Sequence, residues 1–300
     1  MRMRKRNAIS LMCIVMLAVT SLRGAEDAFT APAAGWPANA KKGLVKSVKV
    51  EGLTEDDAFY HLMVPDTYAP EKAWPLVIVL HGGPGGKAID LASVFALGLK
   101  DLGAISVYPQ ALKSVLLEWN YPHEGAYLLA IVRQVSKTYH VDPARIYLMG
   151  HSMGGGGTWC EGAILNSMWA AIGPISGWYG ASPKPPDERL KNLPVYCLHG
   201  DADRSVPVDR SRLAESALKK IGNTDFVYRE LPGVGHVDIL TAQKPELLKM
   251  AKWLLDHKRS APADFATAEK QLAEWGKPFG WSPDGGLIGH YKEEAKPKEK

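Results

Sequence analysis

The feature that most restricts the fold is an alternation running from about residue 44 to 256: short apolar runs rich in β-branched residues give way to longer stretches with helical spacing. The runs that read as strands are Val45–Val50, Ala58–Val64, Leu76–Leu80, Ala104–Val107, Arg145–Met149, Ala170–Ile175, Val195–Leu198 and Phe226–Leu231. Helical patterns lie at Ala88–Leu102, Gly125–Tyr139, Met153–Leu165, Val208–Ile221 and Pro245–His257. The later strands are apolar without a break, as strands must be when helices cover both faces. The alternation predicts an α/β fold, a doubly wound and mostly parallel sheet with helices on both faces, in one domain. The first two strands have no helix between them, which predicts an antiparallel opening hairpin.

With 300 residues, 46% of them hydrophobic and 23% charged, the chain can bury a sizeable core, and disorder, collagen-like repeats and coiled coil are excluded as classes. The formal charge of +4 is misleading, because Arg2, Arg4, Lys5, Arg6 and Arg23 all fall in residues 1–24, which hold no acid. Removing those five leaves −1, so composition gives no reason to expect a nucleic-acid partner. Between Arg6 and Arg23 lie sixteen uncharged, mostly apolar residues. A membrane-spanning helix needs about 20 and a signal-peptide core about 7 to 15. Residues 1–24 therefore read as an export signal cleaved after Gly24 or Ala25, which implies a secreted or periplasmic protein with no stable membrane span after cleavage. Residues 25–43 read as an N-terminal segment, 44–257 as the catalytic domain and 258–300 as a C-terminal extension. Within that extension Phe265–Trp275 suits a short amphipathic helix, Trp275, Phe279 and Trp281 suit a segment packed on the domain, and Lys292–Lys300 suits a frayed end. Cys160 and Cys197 both fall in apolar elements and read as buried free thiols rather than a disulfide.

Three segments carry chemistry. Gly150-His-Ser152-Met-Gly154 is a G-x-S-x-G sequence between a strand and a helical pattern. A serine there occupies a strained strand-to-helix turn with its hydroxyl exposed, and side chains at 150 or 154 would crowd the turn. Ser152 is the candidate nucleophile, and His151 reads as a lining or packing residue. Such a serine needs an acid and then a histidine later in the chain. Val195–Leu198 leads into a loop with two carboxylates, Asp201 and Asp203, and the next strand leads to His236, the single histidine between 204 and 256. Both loops follow the carboxyl ends of strands, where open α/β sheets place their sites. Third, His81-Gly-Gly-Pro-Gly-Gly86 follows the strand Leu76–Leu80 and can aim backbone N–H groups at a developing oxyanion. Gly83 and Met153 are the candidate donors, since Pro84 has no N–H. A phosphate cradle would need a Gly-Lys-Ser/Thr, but Gly86-Lys87 continues with Ala88. His81 reads as a loop-holding side chain. No H-E-x-x-H or paired C-x-x-C occurs, so no metal or other cofactor is expected. Trp119, Tyr121 and Trp178, with Tyr179, lie in loop segments and are candidates for stacking on a sugar or aromatic acid.

With these parts in order, residues 44–257 resemble the α/β-hydrolase superfamily. His199-Gly-Asp-Ala-Asp203-Arg-Ser-Val-Pro207 resembles the H-G-x-x-D-x-x-V-P segment of such hydrolases, which points to Asp203 as the acid and leaves Asp201 to cap the loop or to support the site from behind. Tyr139–Trp159, with Asp142, Pro143, Arg145, Ile146 and Tyr147 ahead of Ser152, resembles secreted esterases of the feruloyl-esterase, polyhydroxybutyrate-depolymerase and "predicted peptidase" group. That resemblance implies hydrolysis of carboxylic esters, on polysaccharides or small molecules. Other readings are a small serine peptidase of the prolyl-oligopeptidase type and a catalytically dead hydrolase fold used for binding. The run Gly154–Gly157 departs from the family pattern: it lowers helix propensity at the start of the helix after Ser152 and leaves room for backbone or substrate to approach closely.

Overall fold

A computed structural model describes residues 29–279 apart from 54, 84, 113–118 and 181–186. The expected export signal, Pro84, Trp281 and the charged end at 292–300 lie outside the described residues.

The eight strands are β1 (Gly43–Lys49), β2 (Phe59–Val64), β3 (Trp74–Leu80), β4 (Ile105–Pro109), β5 (Val141–His151), β6 (Ala171–Ile175), β7 (Val195–Gly200) and β8 (Phe226–Leu231). They form one sheet in the order β1-β2-β4-β3-β5-β6-β7-β8. As expected, β1 and β2 make an antiparallel hairpin, and β2 also runs antiparallel to β4. From β4 to β8 all neighbours are parallel. The helices are α1 (Ala88–Asp101), α2 (Pro122–Thr138), α3 (Met153–Ile164), α4 (Asp209–Ile221), α5 (Asp238–Thr241), α6 (Lys244–Asp256) and α7 (Phe265–Gly276).

The two faces of the sheet carry separate apolar cores, as two-sided burial of β3 and β5 to β7 requires. On one face α1 buries Ala88, Leu91, Ala92, Phe95, Ala96 and Leu99, a three-and-four spacing that makes one stripe, beside Leu247, Met250 and Leu254 of α6. On the other lie α2, α3 and α4. The helix expected in the extension is α7, which packs on the α2–α3 face through Phe265, Ala268 and Leu272, each no more than 2% exposed. Arg133 of α2 holds it further, with an ion pair to Glu269 and its guanidinium 4.5 Å from the Phe265 ring centroid.

Strand β5 begins at Val141, earlier than the sequence pattern suggests. Asp142 accepts hydrogen bonds from the Ala144 N–H (2.9 Å) and Arg145 Nε (2.7 Å), which ties down a turn-like Asp-Pro inside the strand and leaves a register shift against β3. Helix α5 has four residues, too short for any helical period to mark. Cys160 and Cys197 are both buried and are not joined in a disulfide, as expected.

Candidate active site

Ser152, Asp203 and His236 come from three loops, after β5, β7 and β8, all at the carboxyl edge of the parallel sheet. Ser152 sits between strand and helix at φ 60, ψ −118, the strained turn that the sequence predicts. Its N–H bonds to the Ile175 carbonyl at 2.9 Å. Both flanking glycines are sterically required: a Cβ at 150 would collide with the Gly154 carbonyl, and a Cβ at 154 with the Leu80 carbonyl.

The structure brings the three side chains into one line. His236 Nε2 lies 2.8 Å from Ser152 Oγ, and His236 Nδ1 lies 2.6 Å from Asp203 Oδ2. The other carboxylate oxygen of Asp203 accepts the N–H groups of Ser205 and Val206, both at 2.8 Å. Burial pushes this carboxyl up, but the bonds from His236 and from the two amides outweigh it, and Asp203 titrates below the ordinary carboxylate range. Asp201 points elsewhere: it accepts the Gly233 N–H at 2.6 Å and so fastens the acid loop to the histidine loop. The same two loops touch where a Cβ on Gly200 would run into the Val234 carbonyl.

The glycine-rich loop after β3 lies against the serine. A Cβ on Gly82 would be 3.2 Å from Ser152 Cβ, so Gly83 follows directly on the residue in contact. Met153 is the first residue of α3, whose N–H has no acceptor inside the helix. His81 holds the loop from within. Its Nε2 accepts the Ala111 N–H at 3.0 Å, so Nδ1 carries the hydrogen, 2.5 Å from the Gly82 carbonyl. Burial lowers its basicity, in keeping with the expected structural role.

Two aromatic expectations need correction. Trp119 is fully buried, and its indole N–H donates to the His81 carbonyl at 3.0 Å, so it braces the glycine-rich loop from beneath instead of facing a ligand. Tyr179 is 2% exposed, with its ring edge-on to Trp159 at 4.9 Å. Trp178 remains 38% exposed beside Gly156, and Tyr121 is half-buried with its ring 6.0 Å from Phe279.

Two histidines proved more deeply engaged than the sequence indicates. His151, the variable residue of G-x-S-x-G, donates from Nε2 to the His236 carbonyl at 2.9 Å, with the two rings 4.6 Å apart. Burial and then the neighbouring His236 lower its pKa to about 4, so it stays neutral. His199 lies behind Asp203, fully buried. Its place four residues before Asp203 was visible in the sequence, but spacing alone does not say which way a strand-end side chain points.

A hydroxyl, an imidazole and a carboxylate in this order can transfer the hydroxyl proton to the imidazole as the oxygen attacks an electrophilic carbon. That site on this sheet defines the class: the chain has the α/β-hydrolase fold, and the proteins it is similar to carry the same fold. Within the superfamily, the family model described as phospholipase/carboxylesterase matches residues 124–254. Acyl-protein thioesterase 1 of Gibberella zeae is 33% identical over 100 residues, 31% of this chain and 42% of that protein. The bifunctional acetylxylan esterase/xylanase XynS20E of Neocallimastix patriciarum is 28% identical over 148 residues, 48% of this chain and 21% of that one. The chain thus spans less than half the length of either curated relative. Among solved structures, a thermostable esterase superposes with a TM-score of 0.56 at 25% identity, covering 67% of this chain and 59% of its own.

Proposed function

We propose that this protein is an exported serine hydrolase that cleaves carboxylic esters through an acyl-enzyme, on acyl or feruloyl esters of polysaccharides or on small esters. The observation that carries the reading is the unbroken line from Ser152 Oγ through His236 to Asp203, at 2.8 and 2.6 Å. Similarity to an acetylxylan esterase and a thioesterase, both acyl-transfer enzymes by name, supports it. Export rests on residues 1–24, read from their charge and apolar length.

In this mechanism His236 Nε2 takes the proton of Ser152 as Oγ attacks the ester carbonyl carbon. The carbonyl oxygen becomes an oxyanion and receives hydrogen bonds from the Gly83 and Met153 amides. Asp203, held ionised by its own donors, orients the imidazole and stabilises it when charged. The tetrahedral intermediate collapses, His236 returns the proton to the alcohol oxygen, and the alcohol departs. Water then attacks the acyl-enzyme with His236 again as base, freeing the acid and Ser152. Trp178 and Tyr121 offer ring faces to the substrate, whereas buried Trp119 acts through the loop it braces.

The test compares initial rates of the protein and of Ser152→Ala on p-nitrophenyl acetate and butyrate, methyl ferulate, acetylated xylan and an aminoacyl p-nitroanilide. Ester turnover should fall about 10⁴-fold or more in the variant. Ser152-dependent cleavage of the anilide in preference to every ester would make the protein a peptidase instead.

A further inference from the structure

Behind Asp203 runs a second chain of polar side chains that the mechanism above does not use. His199 Nε2 is 3.0 Å from the Val206 carbonyl and 3.3 Å from Asp203 Oδ2, the same oxygen that His236 engages. A carbonyl can only accept, so Nε2 carries the hydrogen and points it at Val206 and Asp203 together. The other ring nitrogen is then an acceptor, and Ser211 Oγ, 2.7 Å away, must donate to it. Ser211 Oγ in turn accepts from the Cys197 thiol at 3.3 Å. The direction of every bond is thereby fixed, from Cys197 through Ser211 and His199 to Asp203. Burial is consistent with it: His199 is held below its ordinary pKa and stays neutral, and the Cys197 thiol is pushed up to about 12 and keeps its proton. All three side chains are buried, so no water can substitute for a missing partner without rearrangement.

We infer that His199 is a positioning residue for the ester-cleaving reaction, fixing the Asp203 carboxylate and sharing its Oδ2 charge with His236, and that Ser211 sets the His199 tautomer. The inference rests on the triad reading above. Oδ1 is anchored by two amides, but among the described residues Oδ2 without His199 keeps His236 as its donor and can swing with it. A donor on Oδ2 also withdraws charge from the bond to His236. Its loss leaves more negative charge to stabilise the imidazolium, which moves the acid limb of the rate profile to higher pH. Other titratable groups near the chain among the described residues include His151, Glu230, Tyr228 and Glu215, and none of them is altered in the test.

The test uses His199→Met, which fills the space without a donor, and His199→Gln, whose amide N–H can reach the position of Nε2. Rates on p-nitrophenyl butyrate are normalised to the fraction of enzyme labelled by a fluorophosphonate, so loss of folded protein does not count. Expected for His199→Met are a kcat down about tenfold, an unchanged KM and an acid limb of kcat/KM raised by about half a pH unit or more. His199→Gln should recover both. Ser211→Ala, which keeps the ring, provides the same reading if the methionine variant does not fold, and should raise the limb by a smaller amount. The downfield proton resonance of the His236–Asp203 bond should also move in these variants, a readout independent of any substrate. An unmoved limb and resonance in the variants that fold, or a glutamine variant no better than methionine, overturns the inference. Residual turnover in Ser152→Ala would instead overturn the triad reading on which it rests.

Discussion

At the scale of single residues the site is expensive and well braced. Ser152 holds a positive φ that costs a non-glycine residue of order 1–3 kcal/mol, and its N–H bond to Ile175 and the glycines at 150 and 154 show how the surroundings enforce it. A different cost lies outside the site, at Glu161 of α3 and Glu124 of α2. Both are fully buried, and neither Glu161 oxygen has a hydrogen-bond partner among the described residues. Burial raises both carboxyls well above the ordinary 4.5, and the neighbouring Glu161 raises Glu124 further. The folded protein therefore keeps protons that the unfolded chain releases once the pH passes 4.5. Their contribution to stability is whole below that value and shrinks as the pH climbs toward the folded values. Glu161→Gln should flatten this decline: unfolding followed by circular dichroism should show a Tm gain of about 3 °C or more at pH 8 and little change at pH 4.5. Identical Tm curves from pH 4.5 to 8 would show that the carboxyl is not the source.

At the scale of elements the informative case is the first turn of α3. Four consecutive glycines should weaken a helix by roughly 1 kcal/mol each relative to alanine. Space explains three of them. A Cβ at 154 would strike Leu80, at 155 the Ile175 carbonyl and Gly177, and at 157 Trp119, so α3 lies directly on the sheet and on the tryptophan that braces the glycine-rich loop. Gly156 is different, with nothing nearer than Trp178 backbone atoms at 3.8 Å. Denaturant titration should find Gly156→Ala more stable by about 0.5–1 kcal/mol and Gly157→Ala less stable by about 1–3 kcal/mol. Equal effects of the two would refute this account of the turn. The sequence shows the glycines and the helix after them, but the reason for Gly154, Gly155 and Gly157 is a contact with a segment distant in the chain, which no local pattern contains. Strands and helices were readable because burial on both faces leaves unbroken apolar runs, whereas the start of β5 was blurred by the Asp142 turn within it.

At the scale of the whole molecule, the described part of the C-terminal extension, through α7, belongs to the fold. Phe265 and Leu272 of α7 are buried against α2 and α3, and Arg133 reaches across to Glu269. Each of those two side chains contributes about 1.5–3 kcal/mol on burial, so a chain ending at residue 257 should lose several kcal/mol and elute from size exclusion as aggregate. A monomeric truncated protein with an unchanged Tm would show that α7 is dispensable. The order of serine, acid and histidine along the chain was legible because the parallel sheet puts successive strand ends on one edge, and the loops that follow meet there. Which ring stays exposed was not, because exposure is decided by packing between loops: Trp119 and Trp178 look alike in sequence, yet one is sealed beneath His81 and the other is open. The most direct test of the central claim is to follow p-nitrophenyl butyrate turnover while a fluorophosphonate reacts with the protein, and then to map the adduct by mass spectrometry. One equivalent on Ser152, with activity lost in proportion, is the predicted result; an adduct on another residue, or full turnover with Ser152 blocked, would contradict it.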